Sequence, residues 1–422
     1  MRDNRIELKK GITLHELETD KFKTNLFAIF LSTPLKRENV TLNAILPMIL
    51  RRGCNKIKTQ EEISKMLEEM YGADLDCGVE KTGNNQILKF YLESLNDEFI
   101  GNNENILKKS LELLTEIVFN PLIMEDKFND EYVAGEKENL KQIIQAKIDN
   151  KARFAYERCI EEMYKDKPYG LYRFGYIEDL ENIDSNSLYE YYKNLINECK
   201  IDIFVSGKTE GESKKILEEN EIIKSLNSRE SIYLVNGENE NKEDVKEKVV
   251  IQNMQVTQGK LVMGLDLKGI SESEKYVASV YNILLGGSAN SKLFQNVREK
   301  ASLAYTASSS YLRQKNNIII RAGIEIENYE KALNLIKQQI ADMETTKFEI
   351  EEVENAKQLI VSTVNGISDS QDAEITYYFG QELSKESTEI EQYVENIKKV
   401  KPNEINEIAK KVQINTIYFL RD

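Results

Sequence analysis

One stretch of the chain combines a glycine pair with a charged helical run and a tyrosine, which raises the question of what it holds. Residues 284–305 read LLGGSANSKLFQNVREKASLAY and contain a glycine pair, Gly286 and Gly287, followed by Arg298 and, seven positions later, Tyr305. Arginine and tyrosine side chains both donate hydrogen bonds, so the segment could hold a group that accepts them. Plainer interpretations are also open: a helix stop at the glycines, a surface ion pair at Arg298 and an amphipathic strand position at Tyr305.

The chain is poor in the residues that metal or nucleophilic catalysis needs. It has one histidine, His15, in a strand-like segment reading ITLHELE, whereas zinc motifs of the HExxH and HxxEH types need two. A Ser-His or Cys-His nucleophile would depend on His15 alone, and no motif surrounds it. The four cysteines form no CxxC pair, which favours free buried thiols over a metal site or disulfides. We therefore predict that His15 is a surface strand residue.

The charge of the chain argues against some classes of partner. Acidic residues outnumber basic ones by 72 to 57, so the net charge is −15 and the pI is near 5.0. Nucleic acids and anionic lipid surfaces favour a basic protein face, and neither is expected as a partner. No apolar run approaches the length of about 20 residues that spans a membrane. The opening residues, MRDNRIELKKG, lack the apolar core of a signal peptide, so a cytoplasmic location is expected.

Two halves of the sequence repeat the same order of elements. In each half, apolar strand-like material precedes an apolar helix: LFAIFLS and VTLNAILPMILRRG in the first, QGKLVMGLDL and EKYVASVYNILLGG in the second. The pairs Lys127-Phe128 and Lys347-Phe348 follow corresponding amphipathic helices, at an offset of 347 − 127 = 220. An offset close to half the chain length indicates a duplicated domain.

The repeat predicts an α+β fold with two homologous domains, each a mostly antiparallel sheet covered by helices. An acidic, aperiodic run divides the halves and is predicted to be a linker. The expected organisation is a first domain over residues 1–232, a linker over residues 233–248 and a second domain over residues 249–422.

The Arg/Tyr segment and the duplication together resemble the insulinase-like, or pitrilysin, zinc peptidases and the mitochondrial processing peptidases. In that family a glycine-rich loop precedes a helix reading roughly L-F-x-x-V-R-E and then L-A-Y, as residues 293–305 do here. Residues 167–183, KPYGLYRFGYIEDLENI, are similar to another stretch of the family. The resemblance covers nearly the whole chain. It implies a metallopeptidase-like fold and a substrate-binding role for Arg298, Tyr305, Gly286 and Gly287.

The family's catalytic motif is missing from the matching positions. Aligning the glycine of the first-half helix on Gly53 places its two HxxEH histidines at Ala44 and Met48 and its glutamate base at Pro47. The downstream acidic pair, spaced E-x6-E, falls on Glu138 and Gln145. None of Ala44, Pro47, Met48 and Gln145 can replace the lost groups. The resemblance therefore implies a degenerate zinc site and a chain with no catalytic residues, no metal and no cofactor.

Family members without the zinc motif usually pair with an active member, and the two chains enclose a peptide. The resemblance thus implies a heterodimer with an HxxEH-containing zinc peptidase and a peptide or protein substrate. Inactive bacterial members of this length are associated with the 5-aminopentanol modification of elongation factor P, which suggests a link to that modification. The alternative is a homodimeric peptide-binding scaffold or holdase without a peptidase partner. A hydrolase with Asp, Glu or Cys ligands is disfavoured because zinc prefers nitrogen and sulfur donors.

Overall fold

Two mixed sheets of the same topology organise the chain in the computed structural model, which describes residues 3–101, 104–230 and 246–422. The described residues form two compact units. The first unit takes them from the ranges 1–145, 171–235 and 370–385, and the second from 146–170, 236–369 and 386–422. Most of the predicted linker, residues 233–245, lies outside the described residues.

The sheet of the first unit has six strands in the order β1-β2-β6-β3-β5-β4. All neighbouring strands are antiparallel except β2 and β6, which are parallel. A two-residue turn that includes Gly83, at φ 55°, joins β4 to β5, as its Gly-Asn sequence predicts. The strands are β1 (Asn4–Lys9), β2 (Ile12–Glu18), β3 (Thr24–Pro34), β4 (Asp74–Thr82), β5 (Asn85–Leu95) and β6 (Lys200–Gly207).

The sheet of the second unit has five strands in the order β7-β11-β8-β10-β9. Its one parallel pair, β7 with β11, corresponds to the parallel pair β2 with β6, and the other neighbours are antiparallel in both units. The expected α+β fold with a duplicated, mostly antiparallel sheet is confirmed. The strands are β7 (Lys248–Asn253), β8 (Gly259–Leu267), β9 (Ala304–Leu312), β10 (Asn317–Ile324) and β11 (Val412–Arg421).

Helices follow the strands in the same order in both halves. In the first half they are α1 (Val40–Leu50), α2 (Gln60–Glu69), α3 (Ile106–Phe119), α4 (Asp130–Gln145), α5 (Lys151–Met163), α6 (Ile177–Leu180), α7 (Ser185–Glu198), α8 (Glu212–Glu219) and α9 (Glu221–Ser225). In the second half they are α10 (Glu274–Asn282), α11 (Tyr329–Asp342), α12 (Ile350–Asn365), α13 (Gln371–Ser384), α14 (Ile390–Lys398) and α15 (Pro402–Ala409).

Each sheet is covered on both faces, which explains its long apolar strands. In β3, Phe27 and Ile29 belong to the core shared with α1, α3 and α7. The alternate residues Ala28 and Phe30 face a second cluster that contains Phe379 of α13. Because successive side chains of a strand point to opposite faces, a strand covered on both sides is apolar throughout.

One covering helix of each unit comes from the other half of the sequence. Helix α13 packs on β6 of the first unit, and α5 packs on β8 and β11 of the second. The two helices occupy corresponding places along the chain, because each follows a long helix, α12 or α4. Among the described residues, none of the helices combines the length and the apolar character that crossing a membrane requires.

Candidate functional site

The glycine pair lies where a helix passes close to a strand. Helix α10 continues into a π-helical turn, Ile283–Gly287, which packs on β9. A Cβ atom at Gly286 would lie 2.6 Å from the backbone nitrogen of Ser309 and 2.7 Å from its Oγ, so no other residue fits without a shift. A Cβ atom at Gly287 would lie 2.8 Å from Cδ1 of Ile283. Neither glycine has the positive φ of a left-handed helix stop, and close packing against β9 accounts for Gly286.

Arg298 lies on a second π-helical segment, Leu293–Lys300. Leu293 and Val297 bury one face of this segment, while the Arg298 side chain remains 42% exposed. Its guanidinium lies over the ring of Phe294, 4.5 Å from the centroid, and its Nε is 3.7 Å from Oε1 of Glu299. The aromatic ring supports the cationic group without satisfying its hydrogen-bond donors. π-Helical segments are rare and are found frequently at functional sites.

Tyr305 lies on β9, the last strand of its sheet, and is 58% exposed. Its hydroxyl donates a hydrogen bond to Glu325, which follows β10, and this bond raises the pKa of Tyr305. The structure thus fixes Arg298 and Tyr305 through separate partners, Phe294 and Glu325. Neither partner was predicted from the sequence. The four-residue spacing of Phe294 and Arg298 was a usable signal, whereas Glu325 is distant from Tyr305 along the chain.

The degenerate zinc positions on α1 are part of a packed core. Ala44 and Pro47 are buried and Met48 is half-buried. The carbonyl oxygen of Pro47 accepts a hydrogen bond from the thiol of Cys77 on β4, with a distance of 3.2 Å. Burial raises the pKa of Cys77 to about 11, so the thiol is neutral near pH 7. A neutral thiol and apolar side chains offer no ligand set for zinc.

Glu136 is the buried acidic residue of α4. Glu138 is exposed and pairs with Lys141 at 3.6 Å, and Gln145 is exposed at the end of the helix. Glu136 is 4% exposed, forms an ion pair with Arg52 and accepts a hydrogen bond from Asn139 at 2.9 Å.

The burial of Glu136 suggests a shift of two positions in the E-x6-E register. Glu136 lies at helical spacing between the buried residues Val133 and Leu140, and this spacing could have been recognised in the sequence. The position seven residues after Glu136 is Ile143, which is 38% exposed and cannot bind a metal. The third-ligand position is without a carboxylate in either register. The described residues contain no group of three or more His, Cys, Asp or Glu side chains that could hold a metal ion.

The prediction that His15 is a surface residue was wrong. The side chain is fully buried, because β1 and β6 flank β2 and the ring stacks on Phe204 with centroids 4.2 Å apart. Its Nδ1 lies 2.9 Å from an oxygen of Asp3 and its Nε2 lies 3.3 Å from an oxygen of Asp202. The alternation of β2 could not show that both of its faces and both of its edges are covered.

The middle of the chain matches a known family model. A model described as the peptidase M16 inactive domain matches residues 182–360. Over 412 residues, the chain is 34% identical to the probable inactive metalloprotease YmfF of Bacillus subtilis (strain 168), and this match covers 97% of the chain and 96% of the relative.

Solved structures match the whole chain. A conserved protein from Enterococcus faecalis V583 gives a TM-score of 0.90 at 27% identity, with 100% of this chain and 99% of that one covered. A structure from Pseudomonas fluorescens, described as a peptidase M16 inactive domain, gives a TM-score of 0.79 at 16% identity and covers 100% of this chain and 98% of its own. At that identity the second match supports the fold alone.

Proposed function

Because the chain belongs to the insulinase-like, or M16, metallopeptidase family and is an inactive member of it, we propose that it binds an extended peptide or protein segment beside an active zinc peptidase. Its own contribution is the binding surface, since the residues at the HxxEH positions cannot ligate zinc or activate water.

The exposed edge of the second unit's sheet carries this proposal. Strand β9 has β10 as its one strand partner among the described residues, and Tyr305 is 58% exposed on it. An extended peptide can add to such an edge through main-chain hydrogen bonds. Arg298, on the π-helical segment that packs against β9, supplies further donors for peptide carbonyl groups.

The substitution Arg298→Ala tests the binding surface. The loss of charge-assisted hydrogen bonds should weaken the binding of fluorescein-labelled casein roughly tenfold or more, as measured by fluorescence anisotropy. Peptide turnover by the complex with the active sibling should fall in parallel, while the urea unfolding midpoint of this chain stays unchanged. The matched control is Lys300→Ala, which removes another exposed cation of the same segment. Unchanged affinity and turnover in Arg298→Ala would remove this residue from the site.

Purification of the full chain from its native cell tests the partnership. A stoichiometric partner that contains HxxEH supports the proposed complex. Purification as a homodimer that binds casein, with no peptidase partner, would instead support the scaffold or holdase alternative.

We further propose that the complex acts in the cytoplasm and contributes to the 5-aminopentanol modification of elongation factor P, on the basis of the sequence resemblance. Deletion of the gene should change the mass of elongation factor P isolated from the cells, and complementation should restore it. An unaltered mass after deletion would show that the chain takes no part in this modification, and it would leave the peptide-binding proposal unaffected.

A further inference from the structure

A groove of about 500 Å³, the α4–α6 pocket, lies within the first unit between α4 and the segment that contains α6 and the start of α7. Its lining residues on α4 recur at helical spacing from Asp130 to Lys141, so one face of the helix borders the pocket over roughly 16 Å. None of the degenerate zinc positions and none of the predicted peptide-binding residues lines it. The pocket is therefore a candidate site that the proposed function does not use.

The floor of the α4–α6 pocket is apolar. Val133 is 3% exposed, and Leu180 and Ile183 are each 5% exposed. Ala134, an exposed residue of α4, also lines the pocket, and its methyl group fills little of the space. A volume of about 300 to 1,000 Å³, an apolar lining and a few polar groups are typical of sites for small molecules.

The walls of the pocket offer few main-chain partners to a ligand. The backbone groups within a helix bond to one another, and Asp184 accepts hydrogen bonds from the backbone nitrogens of Asn186 and Ser187 at the start of α7, at 2.9 and 2.8 Å. The carbonyl oxygen of Ile183 accepts a hydrogen bond of 2.6 Å from Nζ of Lys137. An extended peptide binds through a ladder of main-chain hydrogen bonds, which these walls do not supply. The pocket is thus better suited to a small molecule.

Acidic side chains outnumber basic ones around the pocket. Two ion pairs are already formed: Asp130 lies 2.7 Å from Lys127, and Glu138 lies 3.6 Å from Lys141. When Lys127 is counted with the lining, four acidic side chains face three basic ones, which leaves one negative charge uncompensated. The charged residues of the lining are Asp130, Lys137, Glu138, Lys141, Glu181 and Asp184.

Glu181 is the acidic residue of the lining that has no partner. Its side chain is exposed and forms no hydrogen bond or ion pair with the other described residues. Lys137, the one lysine of the lining without an ion pair at the distances given above, donates to a carbonyl oxygen and is held in the wall. A carboxylate beside an apolar floor favours a ligand that combines a positive charge with an apolar stem.

We propose that the α4–α6 pocket binds a primary ammonium group carried on an apolar stem. The stem packs on Val133, Leu180 and Ile183, and the ammonium group pairs with the carboxylate of Glu181. The same chemistry occurs in a free alkylamine and in the lysine side chain of a peptide. The scarcity of main-chain partners favours the free amine.

Isothermal titration calorimetry of the full chain with octylammonium tests the proposal. Octylammonium should bind roughly tenfold more tightly than octanoate, because the carboxylate of octanoate would be repelled by Glu181. Hexylammonium should bind roughly tenfold more weakly than octylammonium, because it buries two methylene groups fewer. Octanoate that binds as tightly as octylammonium, or octylammonium that does not bind, would overturn the proposal.

Two pairs of variants locate the site. Ala134→Trp fills the pocket and should abolish the binding of octylammonium, whereas Gln142→Trp, on α4 but outside the lining, should leave it unchanged. Glu181→Gln removes the charge and should weaken binding roughly threefold, whereas Glu178→Gln, also outside the lining, should not. All four positions are exposed, so the urea unfolding midpoint should remain that of the wild-type chain.

The same titrations distinguish the two sources of the ammonium group. Wild-type affinity in Ala134→Trp, or equal effects of Glu181→Gln and Glu178→Gln, would show that octylammonium binds elsewhere and would overturn the proposal. If the peptide acetyl-Leu-Lys-Leu-amide displaces octylammonium at a lower concentration than hexylammonium does, the site takes lysine side chains. Weaker displacement, or none, assigns it to a free amine. Casein binding, which reports on β9, is independent of all these outcomes.

Discussion

His15 is a buried charge that helps to hold the first unit together. Burial opposes its protonation, but hydrogen bonds to Asp202 and Asp3 outweigh this effect and raise the pKa of His15 to about 9. Lys200, which is also buried, pairs with Asp202 and lies 2.8 Å from Glu382 of α13. Interactions with Lys200 and His15 hold the pKa of Asp202 low although its burial favours the neutral form. Arg5 lies 3.0 Å from Glu382, so the network contains three basic and three acidic side chains.

The pKa of His15 predicts a loss of stability at alkaline pH. The pKa of His15 is raised from 6.5 to about 9 in the folded state. Its contribution to the free energy of unfolding is therefore fully present below pH 6.5 and is lost as the pH rises through 9. The difference corresponds to roughly 3 kcal/mol in the free energy of unfolding. Urea titrations at pH 6 and pH 9 should show this decline in the wild-type chain.

The variant His15→Gln should be less stable at pH 6, and its stability should change less between the two pH values. An equally steep decline in His15→Gln would show that other groups cause the pH dependence.

Among the elements, the π-helical turn Ile283–Gly287 joins α10 to the segment that carries Arg298, and both the turn and the segment pack on β9. Gly286 lies against Ser309 of β9. The hydroxyl of Ser309 donates a hydrogen bond of 2.8 Å to Oδ1 of Asn282, the last residue of α10. The segment that presents Arg298 follows this turn and also packs on β9. The close approach at Gly286 thus positions the elements that carry both predicted peptide-binding side chains.

Gly286→Ala should destabilise the second unit. The added methyl group would meet backbone and buried side-chain atoms within 3 Å, and such overpacking costs about 1–3 kcal/mol. The matched control is Gly380→Ala within α13, where a Cβ atom meets nothing within 4 Å and where alanine should stabilise the helix by about 0.5–1 kcal/mol. Denaturant unfolding should give opposite signs for the two variants; equal effects would contradict the packing role of Gly286.

At the scale of the whole molecule, the duplicated halves share helices. The face of the first sheet that contains Phe30 and Phe204 is covered by α13, from the second half of the sequence. The face of the second sheet that contains Val262 and Tyr418 is covered by α5, from the first half. Each half of the chain therefore lacks a helix that the sheet of its own unit requires.

This exchange predicts that the halves do not fold separately. Fragments covering residues 1–230 and 246–422, expressed alone, should leave an apolar sheet face exposed and should be insoluble or lack a cooperative unfolding transition. Co-expression of both fragments should recover soluble protein with native circular dichroism. Cooperative unfolding of either fragment alone would show that its covering helix is dispensable.

Three features could be predicted from the sequence alone: the duplicated α+β architecture, the family resemblance and the absence of an HxxEH motif. These features depend on residue types and on periodicities within one element, such as the apolar runs of β3 and α1, and a chain with one histidine cannot contain the motif. The turn at Gly83 was predictable for the same reason, since its chemistry is local.

Four features required the three-dimensional structure. His15 is buried, and Glu136 rather than Glu138 turns inward. Glu325 holds Tyr305, and helices α5 and α13 exchange between the units. These outcomes depend on contacts between residues far apart in the sequence, as in the pairing of His15 with Asp202. An element's periodicity shows which of its faces is apolar, but burial is decided by what the rest of the chain brings against that face.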